Sequence, residues 1–355
     1  MSHEKLEIEH KELKDTLVAT APLNPKNREE LFMALSELEK HVPEEHIAGP
    51  AFGIFQFITS IKEGFDVEVG YPVTQPVEQG VIKTRILPGM EVLSYIHRGN
   101  IKDIGESYGR LYGYASEHGL ISDEFCREVY LLLDAEGVSE IEIQFVIHRW
   151  SQLLATNLTK VLGEDVEQQV MRGNDELTIE STVEERFRWV KGAIERLDDL
   201  ADEEERFDVL SRCAHVFPKS QIEKLRVVYE EGKARTGDPI EAVDAVIAFM
   251  GADPGWGERP RREGNVIYSS KKPRDPERYE NAKDELEKKK AYCFCPLVRE
   301  HLDGGISVTF CYCGAGWYRQ QWEGAIGKPV TIEIVRSILS GDNLCEFAIR
   351  LPDDL

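Results

Sequence analysis

The chain of 355 residues is expected to fold as α+β, and three observations carry that expectation. Strand-type alternation and helix-type stripes follow one another in the same order twice within residues 1–148. Residues 149–290 then carry apolar stripes at helical spacing alone. Residues 291–355 return to short mixed elements and hold five of the seven cysteines. The expected organisation is therefore a duplicated strand-helix-strand-strand domain (1–148), a helical middle (149–290) and a small cysteine-rich α+β domain (291–355).

A strand-like run over Leu6–Thr20 leads into a helix with Arg28, Leu31, Phe32, Leu35 and Leu38 on one stripe. Ala51–Thr59 and Phe65–Tyr71 follow as strands; Phe65, Val67 and Val69 face one side while Asp66 and Glu68 face the other. The order then recurs. Strand Val81–Arg98 is interrupted at Leu87-Pro88-Gly89, a helix carries Ile101, Ile104, Tyr108, Leu111 and Tyr112, and strands Glu128–Leu133 and Glu140–Ile147 close the unit. Two such units build a sheet with helices on one face, and the other face is expected to be open for a ligand.

Several segments here resemble one family: Gly49-Pro50-Ala51-Phe52, Phe65-Asp66-Val67-Glu68-Val69-Gly70, Leu87-Pro88-Gly89, Tyr95-Ile96-His97-Arg98-Gly99, Ile104-Gly105-Glu106-Ser107-Tyr108-Gly109 and Arg127-Glu128-Val129-Tyr130. Over Leu6–Ile147 the sequence is similar to the GyrI-like small-molecule-binding domain. The resemblance implies the same duplicated architecture and an amphipathic or cationic organic ligand held between aromatic side chains, with a buried glutamate as counter-charge. On this sequence that points to Phe55, Phe57, Tyr95, Tyr112 and Tyr130 as the aromatic residues and Glu128 as the acid. Glu128 and Tyr130 stand two apart on a strand and so share a face, as do Tyr95 and His97. A buried carboxylate among aromatic rings binds a cation, or acts as an acid or base on a bound ring, which makes Glu128 a candidate catalytic residue as well. Without the resemblance, an exposed strand-end Glu128 and a packed Tyr130 are the ordinary alternatives. His97 is expected to be structural.

The middle segment has four stripes: Leu153, Leu154, Leu158, Val161 and Leu162; Phe187, Val190, Ile194 and Leu197; Ile222, Leu225 and Tyr229; and Val243, Val246, Ile247 and Met250. The acidic run Asp198–Glu205 is expected to be a solvated face or turn, and Gly251–Gly264 a loop.

The last segment is expected to run strand, strand, helix, strand, strand. Ser307–Cys313 is the second strand, Gly314-Ala315-Gly316 the sharp turn into a helix through Trp317 and Trp322, and Pro329–Val335 and Leu344–Leu351 the closing strands. Phe310–Tyr318, Trp322-Glu323, Gly327-Lys328-Pro329-Val330 and Gly341–Phe347 resemble the L-2-amino-thiazoline-4-carboxylic acid hydrolase family and, more distantly, 4-vinyl-reductase-type sensor domains. That resemblance implies a second small ligand, sensed or hydrolysed.

Three uses of the cysteines stay open. A zinc ion on Cys293, Cys295, Cys311 and Cys313 is one. Residues i and i+2 of a strand lie roughly 6.5–7 Å apart, whereas thiolates on one tetrahedral ion need to be about 3.8 Å apart. Each C-x-C pair would have to bend. A reactive thiol is the second use, with Cys313 favoured because a helix start would lower its pKa and Glu323 could serve as base. Buried structural thiols are the third.

Composition narrows the function classes. A net charge of −22 repels a phosphate backbone, and the basic stretches Arg259, Arg261, Arg262 and Lys271, Lys272, Arg274 are short, so nucleic-acid binding is not expected. No window nears 18 apolar residues and the N-terminus lacks an apolar export core, so neither a membrane span nor secretion is expected. Seven cysteines then point to a reducing cytoplasm. The expected function is small-molecule binding; a hydrolase opening a heterocyclic or strained ring and a zinc-stabilised scaffold are the alternatives.

Overall fold

The computed structural model describes residues 8–56, 65–133, 138–178, 181–217, 219–252 and 260–355. They form two compact units, Met1–His148 and Arg149–Leu355.

In the first unit the elements are β1 (Glu9–Leu13), β2 (Thr16–Leu23), α1 (Arg28–Glu39), β3 (Phe52–Gln56), β4 (Val67–Pro72), β5 (Lys83–Leu87), β6 (Met90–Asn100), α2 (Ile104–Glu117), β7 (Leu120–Leu133) and β8 (Val138–Arg149). One sheet takes all eight strands in the order β1-β6-β8-β7-β3-β4-β2-β5. The order shows the duplication directly. β6-β8-β7 from the second repeat mirrors β2-β4-β3 from the first, and the two halves join where β3 pairs antiparallel with β7. Gly53 stands opposite Glu128 at that seam.

Local chemistry sets the boundaries. Asn27 caps α1, its side chain accepting from the Glu30 amide at 2.9 Å, and Glu29 and Glu30 suit the positive end of the helix. Leu31, Leu35 and Leu38 are buried along one stripe of α1, each of the order of 1.5–3 kcal/mol of burial. Gly70 on β4 has no room for a side chain, because a Cβ would lie 2.2 Å from the Ala19 carbonyl oxygen. His97 is buried, with its ring nitrogens 3.0 Å from Ser107 Oγ and 3.1 Å from the Asn100 carbonyl; this is a structural role, as expected.

The second unit comprises α3 (Trp150–Leu162), α4 (Glu164–Val170), α5 (Val183–Leu200), α6 (Glu203–Ser211), α7 (Lys219–Thr236), α8 (Pro239–Ala252), β9 (Arg261–Glu263), β10 (Val266–Ser270), α9 (Pro276–Glu280), α10 (Glu285–Tyr292), α11 (Tyr312–Ile326), β11 (Thr331–Arg336) and β12 (Glu346–Arg350). Its sheet runs β11-β12-β10-β9, so strands from both sides of residue 290 complete one another. The acidic run splits between the end of α5 and the start of α6. There Asp202 and Glu205 form a reciprocal cap and three glutamates occupy the first turn.

The Cys311–Gly316 region differs from expectation. Val308–Cys311 is a 3₁₀ turn that runs straight into α11, so Cys313 lies inside a helix and ends no strand. Gly316 serves close packing and not turning: a Cβ there would sit 1.9 Å from the Ser211 carbonyl oxygen at the end of α6. Tyr318 and Trp322, on the same helix, are among the largest fully buried side chains.

Candidate functional site

Glu128 is completely buried at the centre of the β3–β7 seam. Its carboxylate accepts four hydrogen bonds, two on each oxygen. Arg28 Nη2 and Tyr108 Oη donate to Oε1 at 2.6 and 2.7 Å; Arg28 Nη1 and Tyr130 Oη donate to Oε2 at 2.6 and 3.1 Å. Four donors occupy the four lone-pair positions a carboxylate offers. Arg28 comes from α1, Tyr108 from α2 and Tyr130 from β7, so the acid ties both helices to the sheet. The site therefore lies on the helix-bearing face; the opposite side, expected to be open, carries its own apolar cluster of Val18, Phe52 and Leu87 with Ile54, Met90 and Val129 packed against it.

The electrostatics follow from that packing. Burial works against the charge of Arg28, but the hydrogen-bonded carboxylate of Glu128 outweighs it and holds the guanidinium above its ordinary range. Tyr108 and Tyr130 are pushed well up, first by burial and then by the neighbouring Glu128, so both hydroxyls stay protonated and act as donors. Burial also pushes the Cys126 thiol, 3.6 Å from Tyr108 Oη, up to about 12.

Aromatic rings surround the pair. The guanidinium carbon of Arg28 lies 5.7 Å from the Phe55 ring centre, and Phe55 packs on Phe65 at 5.8 Å. Phe32 meets Tyr130 edge-on at 5.6 Å. Gly53 keeps space for them, since a Cβ there would come within 2.9 Å of Phe55 and 3.0 Å of Tyr130 Oη. Of the residues expected to bind ligand, Phe55, Glu128 and Tyr130 meet at one point. Tyr112 is displaced toward Phe145, 4.7 Å between ring centres, and Tyr95 pairs with Arg110 at 3.1 Å. Phe57 lies outside the described residues. Arg28 and Tyr108 complete the site without having been expected in it. The signal for Arg28 was available, because it is a cation on the same stripe as Leu31, Phe32 and Leu35.

The cysteines of the second unit divide into two groups. Cys293, Cys295, Cys311 and Cys345 line a small cleft with Lys271 and Phe294, whose cavity is only about 20 Å³. Cys295 is held below its usual pKa by the hydrogen bond from Cys293, with Lys271 and Arg299 adding to it, while Cys293 is raised. Cys311 Sγ lies 3.1 Å from Ser337 Oγ. Cys313 is not at that cleft. It donates to the Cys213 carbonyl and accepts from Trp150 Nε1, both at 3.4 Å. Burial pushes it up to about 12, the reverse of the activated thiol expected at a helix start: Cys313 is the second residue of α11, but desolvation against Trp150 and the Cys213 backbone outweighs the helix end. The structure thus does not bring Cys293, Cys295, Cys311 and Cys313 together as one set; Cys345 stands where Cys313 was expected. Among the described residues, no group of three or more His, Cys, Asp or Glu side chains is arranged to hold a metal ion. Glu323 accepts from Arg319 Nε at 3.1 Å and from the Val330 amide at 3.2 Å, which ties down the end of α11.

Residues 7–147 match the model of the GyrI-like small molecule binding domain family. Among solved structures, the C-terminal domain of EcmrR is 16% identical, with 40% of this chain and 98% of that one covered and a TM-score of 0.36. A hydrolase from Listeria innocua is 12% identical over 41% of this chain and 93% of its own, with a TM-score of 0.29. SAV2435 bound to tetraphenylphosphonium is 9% identical over 40% and 94%, with a TM-score of 0.29. No curated protein matches the chain. No helix among the described residues is long and apolar enough to cross a membrane.

Proposed function

We propose that the first unit binds a small amphipathic organic cation between α1 and α2, with Glu128 as its counter-charge. The single observation that carries this is a carboxylate with no exposed surface set among Phe55, Tyr108 and Tyr130. Arg28 matches the buried charge in the free protein, a place that another cation could take, and the aromatic faces favour a cation that is also apolar. The match of residues 7–147 to a small-molecule-binding family supports the same direction. In this role Glu128 binds and does no chemistry. Calorimetry of the full chain with a panel of aromatic cations, tetraphenylphosphonium included, tests it. Glu128→Gln is expected to weaken binding by about 1–3 kcal/mol, the scale of a charge-assisted contact. Equal binding by the variant would remove Glu128 from the site.

A second site is favoured by the cleft of Cys293, Cys295, Cys311, Cys345 and Lys271. We place the second small ligand there, with Cys295 and not Cys313 as the thiol within its reach. Zinc remains a competing occupant; metal analysis of purified protein, before and after a chelator, separates the two. Bound zinc that stabilises the fold would replace the ligand site by a scaffold role.

A further inference from the structure

We propose that Arg28 is a built-in occupant of the cation subsite, and that it restricts the ligand to planar cations with two parallel N–H donors, aryl amidines and aryl guanidines. This rests on the reading of the first unit as an organic-cation site, and it specifies the class.

Both oxygens of Glu128 are already saturated. With Arg28 in place the charge is cancelled, so an arriving cation meets neither net attraction nor a vacant lone pair. It must take the place of Arg28. The two tyrosine donors are fixed by burial and stay, which leaves two lone pairs, one on each oxygen, to be filled side by side as the two Arg28 nitrogens now fill them, each at 2.6 Å. An amidinium or guanidinium group matches that fork. A quaternary ammonium or phosphonium ion has no N–H and would leave both oxygens short inside a water-poor site. An alkylammonium is a point charge that serves one oxygen well and the other poorly. The Phe55 ring already under the guanidinium offers the same face to a planar cation.

Arg28 is also placed to leave. It is the first residue of α1, where a positive charge opposes the helix dipole, and its side chain keeps 27% of its surface exposed. The cap made by Asn27 does not involve it. A swing of the side chain toward solvent therefore opens the subsite without unwinding the helix.

The test is calorimetry of the full chain with biphenyl-4-carboxamidine and with tetraphenylphosphonium. Wild type is expected to bind the amidine at least about tenfold more tightly, and Arg28→Ala to tighten amidine binding by about tenfold again because the internal competitor is gone. Arg28→Lys keeps a charge but loses the fork, and it supplies the same readout should the alanine variant not fold. Methylguanidinium at millimolar concentration should raise the melting temperature of Arg28→Ala and leave wild type unchanged. Phosphonium binding as tight as the amidine in wild type, or no tightening in either Arg28 variant, would overturn the exchange. If that occurs while Glu128→Gln still weakens both compounds, the cation site stands and only its selectivity falls. If neither compound binds wild type or variant, the cation site itself falls and the exchange with it.

Discussion

Two polar clusters, one in each unit, are buried by opposite means. At the seam of the first unit, one carboxylate is met by four donors drawn from α1, α2 and β7, so charge and hydrogen bonding both close. In the second unit, four thiols line a cleft whose nearby cations are Lys271 and Arg299, and their partners include one another and a serine. A thiol tolerates this because it loses little on leaving water; an ionised carboxylate does not. The difference teaches where each unit is sensitive. The first stakes its stability on a buried charge pair, and the second on the closeness of its backbones.

The largest expected effect breaks the first side of that contrast. Arg28→Ala leaves Glu128 buried and unpaired and should cost about 3–5 kcal/mol in urea unfolding. Arg28→Met with Glu128→Leu, which removes both charges, should recover most of it. A single variant as stable as wild type would mean that water already reaches the carboxylate.

The next probes the closeness of backbones. Gly316→Ala puts a methyl 1.9 Å from a backbone oxygen and should cost about 1–3 kcal/mol or more. Gly53→Ala meets the ends of two side chains at 2.9 and 3.0 Å and should cost less. Reversed melting temperatures would contradict the assignment of Gly316 to helix packing.

Alkaline pH should separate the units further. Cys213, Cys311 and Cys313 in the second unit, and Cys126 in the first, have thiol pKa values raised by burial. A raised folded pKa contributes stability that is fully present below the unfolded value, about 8.5, and that contribution is lost as pH climbs toward the folded value, about 12 for Cys313 and Cys126. Hydrogen exchange on the intact chain should show the second unit losing protection first from about pH 8.5 upward. Equal loss in both would set the thiols aside.

The smallest effect is chemical. Brief iodoacetamide treatment at neutral pH should label Cys295, whose thiol is held below its usual pKa at the cleft, before Cys313, whose thiol burial raises. The opposite order would restore Cys313 as the accessible thiol.

How far the sequence led differs between the units for a physical reason. In the first, alternation puts Glu128 and Tyr130 on one face, the family resemblance adds Phe55, and the repeat could be seen before the strand order was known. What it missed was Arg28. A charged residue on an apolar stripe looks like the edge of that stripe until a partner 100 positions away is found, and helix spacing carries no information about that partner. In the second unit, Gly314-Ala315-Gly316 after a C-x-C pair has the composition of a turn. It is helical because Gly316 lets α11 approach α6, a tertiary demand that local propensity does not contain. The same shift of phase carried Cys313 away from the cleft and left Cys345 in its place.

The exchange at Glu128 can be watched directly in the intact protein through the guanidinium NMR resonances of Arg28, identified by their loss in Arg28→Lys. Held by two hydrogen bonds to a buried carboxylate, those protons should be resolved and slow to exchange in the free protein. They should collapse to solvent-averaged signals in step with saturation by biphenyl-4-carboxamidine. Saturating ligand binding with the Arg28 signals unchanged would contradict the account, since it would place the ligand somewhere other than on Glu128.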